Sequence, residues 1–343
     1  MEKKVLIIDY LSYYAHRNFN LIHIGALVEL GFSLHLVGKR GQFDNIPECN
    51  LIRKSTLPDF FFRKYPSPAI YRMIYILCLL WARVVYRTNQ YDFILIPTYD
   101  PLSIFAYRTK KPLVLITHDV HYLDNKIKLA FVKATPKHYI HVGLNESMAD
   151  RLKELLPRRR VFHIPHGLCP VSNELSKPAF LSQKDSFVFC PVNKWYNKEL
   201  VKNTFNDPVI LTYLKNNGIK LVVKSKLIES ESTDPIIKVD NNLAKSEYDY
   251  MIDKAIAVIL PYDSCYMYRC SGIMFECVAR NTPVLASNIK SMAIFKEKVD
   301  VKLFSNSQEL IEGVEYYRIS PRKNVDKAVF SPIGYWKEVI NVL

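Results

Sequence analysis

Short, almost wholly apolar runs recur along this chain, each separated from the next by a longer amphipathic stretch. That alternation restricts the folds open to it more than any other feature. VLII at 5–8 and LVLIT at 113–117 are continuous rather than alternating, as strands covered on both faces are. The first half predicts strands at Val5–Asp9, Ser33–Val37, Phe93–Pro97, Leu113–Thr117, Tyr139–Val142 and Val161–Ile164. The second predicts Phe187–Val192, Lys220–Lys224, Ile236–Val239, Ile256–Leu260, Val284–Ala286 and Val301–Phe304. Helical runs such as 145–156 and 244–254 separate them. This is the pattern of an α/β protein with doubly wound parallel sheets, and the 343 residues suit two domains of roughly 150–200 each. Two Rossmann-like domains facing a central cleft are expected. The polar stretch Pro165–Lys184 marks the boundary, giving domains 1–170 and 185–332. A closing helix, 333–343, either packs on the second domain or returns to the first. All nine histidines lie at or before position 166, which supports the division.

Composition excludes several classes. Only 10 glycines are present, and neither GxxxxGK[ST] nor GxGxxG occurs. The seven cysteines form no CxxC and are odd in number, which predicts reduced thiols in a cytosolic protein. The start, MEKKVLIIDY, reads as a first strand rather than a signal peptide. The longest apolar stretch, 71–86, is interrupted by Arg72 and Arg83. It falls short of the roughly 20 apolar residues of a spanning helix, so a soluble or peripheral protein is expected. Lys plus Arg is 47 against 33 Asp plus Glu, a net +14 that points to anionic partners.

The most informative segment is 256–289, IAVILPYDSCYMYRCSGIMFECVARNTPVLASNI. It reads as a strand ending near Pro261, a loop, a helix opening at Ser271–Gly272, and a short strand PVLAS. Backbone N–H groups at Gly272 can approach a phosphate, and Arg269 adds a full positive charge beside them. Glu276, about a turn into the helix, can accept hydrogen bonds from two ribose hydroxyls. The same residues also suit a purely structural unit, with Ser271 as the N-cap and Glu276 complementing the helix dipole.

This segment resembles the nucleotide-sugar signature of GT-B glycosyltransferases, particularly family 4. The residues that carry the likeness are Leu260–Pro261, Ser271–Gly272, Phe275–Glu276, Ala279 and Pro283–Ser287. The resemblance implies that Glu276 binds the ribose and that the backbone at Ser271 and Gly272 binds the diphosphate of a UDP- or GDP-sugar. One position departs: Tyr268 stands where the retaining family has a second Glu, so retention or inversion stays open. Phe187–Glu199 (FVFCPVNKWYNKE) falls where the family has a strand followed by a cationic loop. Lys198 matches its Lys, Asn193 stands near its Arg, and Lys194 can substitute for that Arg; both lysines could equally be solvated side chains on an ordinary loop.

In the first half, LVLITHD at 113–119, Asn145–Ser147 and VFHIPHG at 161–167 match the family more loosely. They would turn His118 toward the donor sugar. The segment 13–18 replaces the family's Gly-Gly turn and contains His16. A histidine there can serve as general base in an inverting enzyme, because its near-neutral pKa suits taking a proton from an acceptor hydroxyl. Asp119 is the alternative base. The HxxH pairs 118/121, 138/141 and 163/166 lack a further ligand at suitable spacing. No metal is expected, and the absence of any DxD triplet weighs against the metal-dependent GT-A class. No separate cofactor is expected either. ESES at 229–232 reads as a loop.

Residues 53–87 hold seven Lys/Arg and one acid, a net +6, interleaved with Phe60–Phe62, Tyr65, Tyr71, Tyr75 and Trp81. Such a surface suits anionic headgroups. Ile70–Val85 is expected to be largely core and Pro58–Pro68 the exposed docking loop. The resulting expectation is a hexosyltransferase at the cytoplasmic face of a bacterial membrane. It would act on a glycan or lipid-linked saccharide in surface-polysaccharide synthesis. A catalytically impaired GT-B scaffold is the competing reading. A basic nucleic-acid-binding protein is the weaker alternative, which the charge permits; nucleic acid is not expected as a partner, since no RNP, zinc-finger or helix-turn-helix pattern accompanies that charge.

Overall fold

The computed structural model describes residues 3–11, 16–224, 227, 234–239 and 243–343. Residues 13–15 of the loop before His16 and the ESES run lie outside the described residues. The described chain divides into two compact units: Met1–Gly167 with Phe330–Leu343, and Leu168–Val329.

In the first unit the chain runs β1 (Lys4–Asp9), α1 (Arg17–Glu29), β2 (Ser33–Gly38), β3 (Ile52–Thr56), α2 (Pro68–Val85), β4 (Phe93–Ile96) and α3 (Pro101–Ala106). It continues with β5 (Leu113–Thr117), α4 (Lys126–Lys133), β6 (Tyr139–Gly143), α5 (Glu146–Leu155) and β7 (Arg160–His163). The sheet order is β3-β2-β1-β4-β5-β6-β7, with every neighbouring pair parallel. In register, Leu6 opposes His35 on one side and Ile94 on the other. The continuous apolar runs are buried along their whole length in β4, β5 and β6, which is what a sheet covered on both faces requires.

The second unit repeats the winding with β8 (Ser186–Cys190), α6 (Lys198–Phe205), α7 (Pro208–Asn216), β9 (Ile219–Lys224), β10 (Ile236–Val239) and α8 (Lys245–Lys254). Then follow β11 (Val258–Leu260), α9 (Gly272–Arg280), β12 (Val284–Ser287), α10 (Lys290–Ala293), β13 (Val301–Phe304) and α11 (Ser307–Ile319). Its order, β10-β9-β8-β11-β12-β13, reverses direction between β8 and β11 as the first sheet does between β1 and β4. In open α/β sheets that reversal opens the crevice where ligands bind.

The last helix, α12 (Pro332–Ile340), belongs to the first unit. Trp336 is fully buried there and donates from Nε1 to His23 Nδ1 of α1 at 3.1 Å. Arg160 holds the Val342 carbonyl. The first unit ends at Gly167 rather than at 170. The stretch from Leu168, expected as a linker, lies in the second unit, where Ser176 N donates to Ser246 O at 3.2 Å and Arg280 reaches the Ser172 carbonyl.

Two expectations are corrected. β3 was not anticipated: its sequence, IRKST, is polar because the strand lies at the sheet edge and is largely uncovered. Ile70–Val85 does form a helix, begun by the Ser67 cap and Pro68. It is not core, however: only Cys78, Leu79 and Ala82 of α2 are buried. The preceding loop, Pro58–Pro68, is exposed at Asp59, Phe60, Arg63, Lys64, Pro66 and Pro68, with Phe61 turned inward.

Candidate active site

At the carboxyl ends of the first sheet, loops after β1, β5 and β7 bring histidines around one ring. Phe19 of α1 is buried, and its centroid lies 4.1 Å from that of His23, 4.8 Å from His118, 5.3 Å from His166 and 6.3 Å from His16. His16 and His118 stack face to face at 4.0 Å with 8° between their planes. Two protonated rings would repel at that spacing, and burial already disfavours charge. Burial lowers the pKa of His16, partly offset by the Asp9 carboxylate. His118 falls well below the usual histidine value through burial and the neighbouring His16 and His166. Burial also takes His23 to about 3 and His166 to about 4. At neutral pH the cluster is therefore made of neutral imidazoles.

The backbone holds these rings in place. His16, the N-cap of α1, has φ 62° in the left-handed region, a conformation non-glycine residues rarely adopt. Its Nδ1 is paired with Thr98 Oγ1 at 3.2 Å, which sets the ring's orientation. His118 Nε2 donates to the Pro97 carbonyl at 2.9 Å. His23 Nε2 donates to the His166 carbonyl at 3.2 Å. Gly167 follows with φ 81°, and a Cβ there would lie 2.4 Å from Ile22 Cγ2, so the chain passes α1 closely enough to require glycine. Behind His16, Asp9 is fully buried and accepts from Asn20 Nδ2 at 2.9 Å. Asp119, by contrast, uses Oδ1 to accept from the His121 amide at 2.9 Å, just ahead of the 3-10 turn His121–Asp124.

The HxxH pairs are dispersed by these bonds. His121 pairs with Asp124, and His138 donates to the Thr109 carbonyl. His141 is buried in β6. Among the described residues no group of three or more His, Cys, Asp or Glu could hold a metal ion.

The second unit presents different chemistry at its strand ends. The loop after β8 is zipped to the loop after β11: Asn197 N donates to Pro261 O at 2.8 Å, Asp263 N to Trp195 O at 2.9 Å, and Tyr196 bridges Tyr262. This places Arg269 against Trp195, with Cζ 3.7 Å from the ring centroid. Trp195 has φ 61° and is 51% exposed, an unusual position for a large aromatic ring. Tyr262 and Tyr266 stack beneath at 3.9 Å and 4°. Lys194 and Lys198 are exposed on the same loop. Lys198 is the first residue of α6, where a cation opposes the helix dipole, so the positive field there is unusually concentrated. Glu199 follows it and partly balances that field.

Ser271 is buried, caps α9 by accepting from Met274 N at 3.2 Å, and shares a hydrogen bond with Tyr262 Oη at 2.9 Å. Its side chain is thus occupied; the backbone remains as its contribution to a ligand. A Cβ at Gly272 would meet nothing within 4 Å, so the helix start faces open space. Glu276 is half-buried and accepts from Tyr248 Oη of α8 at 2.9 Å. Burial raises its pKa, opposed by that hydrogen bond and by Lys245. Tyr268 lies under Lys290, whose Nζ is 5.8 Å from the ring centroid. A separate cavity of about 370 Å³ lies between the starts of α6 and α11; Asn197, Ser287 and Asn306 line it, and the nucleotide-site candidates do not.

Sequence reasoning missed His23, His166, Phe19 and Trp195 as participants. His16 and His23 are seven residues apart, two helical turns, and so share one face of α1. With the confinement of every histidine to the first 166 residues, that spacing was the available signal.

No family model matches the chain, and no curated protein matches it in sequence. Solved structures do. Sucrose-phosphate synthase from Thermosynechococcus elongatus is 12% identical with a TM-score of 0.64, covering 100% of this chain and 95% of that one. The UDP-forming α,α-trehalose-phosphate synthase from Burkholderia vietnamiensis is 10% identical with a TM-score of 0.67, covering 99% of each. HepE from Anabaena, in complex with UDP, is 11% identical with a TM-score of 0.61, covering 99% of this chain and 100% of that one. At such identities the likeness is one of fold. The chain has the GT-B fold, with two Rossmann-like doubly wound parallel-sheet domains.

Proposed function

We infer that this protein is a glycosyltransferase that moves a sugar from a nucleoside diphosphate sugar to a hydroxyl acceptor. The observation that carries the reading is Arg269 stacked on Trp195 beside the open start of α9, at the β8–β11 reversal of a GT-B fold. Cations and the N–H groups of a helix start suit a diphosphate. Arg269, Lys194, Lys198 and the Ser271–Gly272 backbone are assigned to it, and Glu276 to the ribose. A UDP-sugar is the leading donor, since HepE is described in complex with UDP and with UDP-glucose; a GDP-sugar is the alternative.

In the transfer, the acceptor oxygen bonds to the anomeric carbon while the bond from that carbon to the diphosphate oxygen breaks. The electron pair leaves on the diphosphate, where the cations stabilise it. The hydroxyl proton passes to His16, which is neutral at rest and oriented by Thr98; Asp119 is the second candidate, and His118 supports His16 through the stack. A hexose as the transferred sugar and a glycan or lipid-linked saccharide of a bacterial surface polysaccharide as acceptor complete the proposal.

The test is calorimetric titration with UDP, GDP and AMP, followed by turnover with the corresponding sugars. UDP or GDP should bind and AMP should not. Arg269→Ala should weaken binding on the order of tenfold or more, the usual scale for a charge-assisted contact. Unchanged affinity in that variant would overturn the site. Nucleotide binding without any transfer would favour the impaired scaffold, for which Tyr268 in place of a carboxylate is the structural argument.

A further inference from the structure

α2 is the anomaly of the first unit. Ile70, Met73, Leu77, Leu80 and Val84 recur at steps of three and four residues and so form one stripe. They are exposed by 36, 62, 50, 37 and 76% respectively, on the side of the helix opposite buried Cys78, Leu79 and Ala82. Soluble monomers rarely leave such a continuous apolar face uncovered. Exposed Arg63, Lys64, Arg72, Arg83 and Arg87 surround it, and no Asp or Glu occurs from 60 to 91.

We propose that α2 is an interfacial helix that lies in the plane of an anionic bilayer, with this stripe entering the acyl boundary and the basic residues meeting lipid phosphates. By length and composition α2 could cross a membrane. Cys78, Leu79 and Ala82 are nevertheless fixed in the domain, and the Arg83 guanidinium holds the Arg108 carbonyl. One face is thus committed to protein along the helix's second half, which favours lying on the surface over spanning. Charge selects the occupant. A second copy paired stripe to stripe would bring only arginines and lysines to the rim, whereas phosphatidylglycerol supplies the missing counter-charge. The surface does not depend on the donor reading, and the two fail separately: one in vesicle binding, the other in nucleotide binding.

The experiment is flotation of the full chain with vesicles of phosphatidylcholine alone and with about one third phosphatidylglycerol, an anionic fraction sufficient for a negative surface potential. Binding should require phosphatidylglycerol and weaken in 0.5 M salt, on the order of tenfold or more. Met73→Ser, Leu77→Ser and Val84→Ser combined should abolish flotation. Lys64→Glu with Arg72→Glu should weaken it on the order of tenfold or more, since each basic residue near the surface is worth roughly fivefold. Val209→Ser, at an exposed apolar position in α7, should change nothing. Unaltered circular dichroism and an unaltered thermal unfolding midpoint would show that the variants are folded. Trp81 fluorescence should be quenched by brominated lipid in the wild type and not in the triple serine variant. Absence of flotation with phosphatidylglycerol, or flotation of the triple serine variant like wild type, would overturn the proposal. So would a dimer that the serines dissociate, with no vesicle binding by either form.

Discussion

The two units share one winding order yet carry opposite chemistry at their strand ends. In the first, neutral imidazoles pack around Phe19 and none is held by a counter-charge strong enough to keep it protonated. In the second there is no histidine at all; arginine, lysine, stacked tyrosines and helix starts occupy the equivalent places. A doubly wound sheet fixes where a ligand can sit and leaves its chemistry to the loops. On the proposed reading, one unit takes up a proton and the other holds an anion.

The largest effect should come from separating those roles. His16→Asn keeps a residue that tolerates the left-handed backbone and removes the basic nitrogen. Transfer should fall on the order of 10²- to 10⁴-fold, the usual contribution of a general base, while UDP affinity measured by calorimetry stays unchanged. If transfer is retained in this variant and lost in Asp119→Asn, the proton acceptor is the carboxylate and the histidine cluster is structural.

A second effect tests the contrast through acid stability. His23 and His141 are buried with pKa values near 3, below the roughly 6.5 of the unfolded chain. As pH falls below 6.5 the unfolded state binds protons that the folded state refuses. Stability is therefore lost with falling pH, by about 1.4 kcal/mol per pH unit for each such ring until the folded values are reached. Hydrogen exchange followed by mass spectrometry between pH 7 and 5.5, corrected for intrinsic rates, should show the first unit's core losing protection while that of Leu168–Val329 changes little. Equal losses in both would contradict the assignment of neutral histidines.

The fold was legible because parallel strands buried on both faces leave uninterrupted apolar runs; the expected strand ranges all overlap observed strands. β3 escaped because an edge strand can be polar, as Ile52–Thr56 is. α2 was misread for the converse reason: apolar content signals burial only when nothing else, such as a lipid surface, stands ready to cover the residues. Within the sites, Ser271, Gly272 and Arg269 lie close in sequence and could be read together. His118 and His166 reach His23 only through the return of two separate loops to α1, and Arg269 meets Trp195 only once the β8 and β11 loops are zipped. Long-range meetings of that kind leave no local pattern.

The smallest effect concerns Glu276, the second unit's one half-buried carboxylate among the proposed ligands. Burial raises its pKa above the unfolded 4.5, and the hydrogen bond from Tyr248 counteracts that rise. A raised carboxylate pKa favours the folded state at low pH, an advantage lost as pH climbs through the folded value. Tyr248→Phe removes the donor and pushes the pKa higher, so the anion becomes costlier in the folded state. Thermal unfolding at pH 7 should therefore show a loss of about 1 kcal/mol, shrinking toward pH 4 as Glu276 protonates. If Glu276 also holds the ribose, UDP should protect the variant less than the wild type, because a poorly oriented carboxylate is a weaker acceptor. Glu276→Gln should show no comparable loss between pH 4 and 7, since an amide does not titrate. A loss in Tyr248→Phe that is equally flat across that range would mean that the tyrosine stabilises α8 by packing alone, and that the second unit has no titrating counterpart to the histidines of the first.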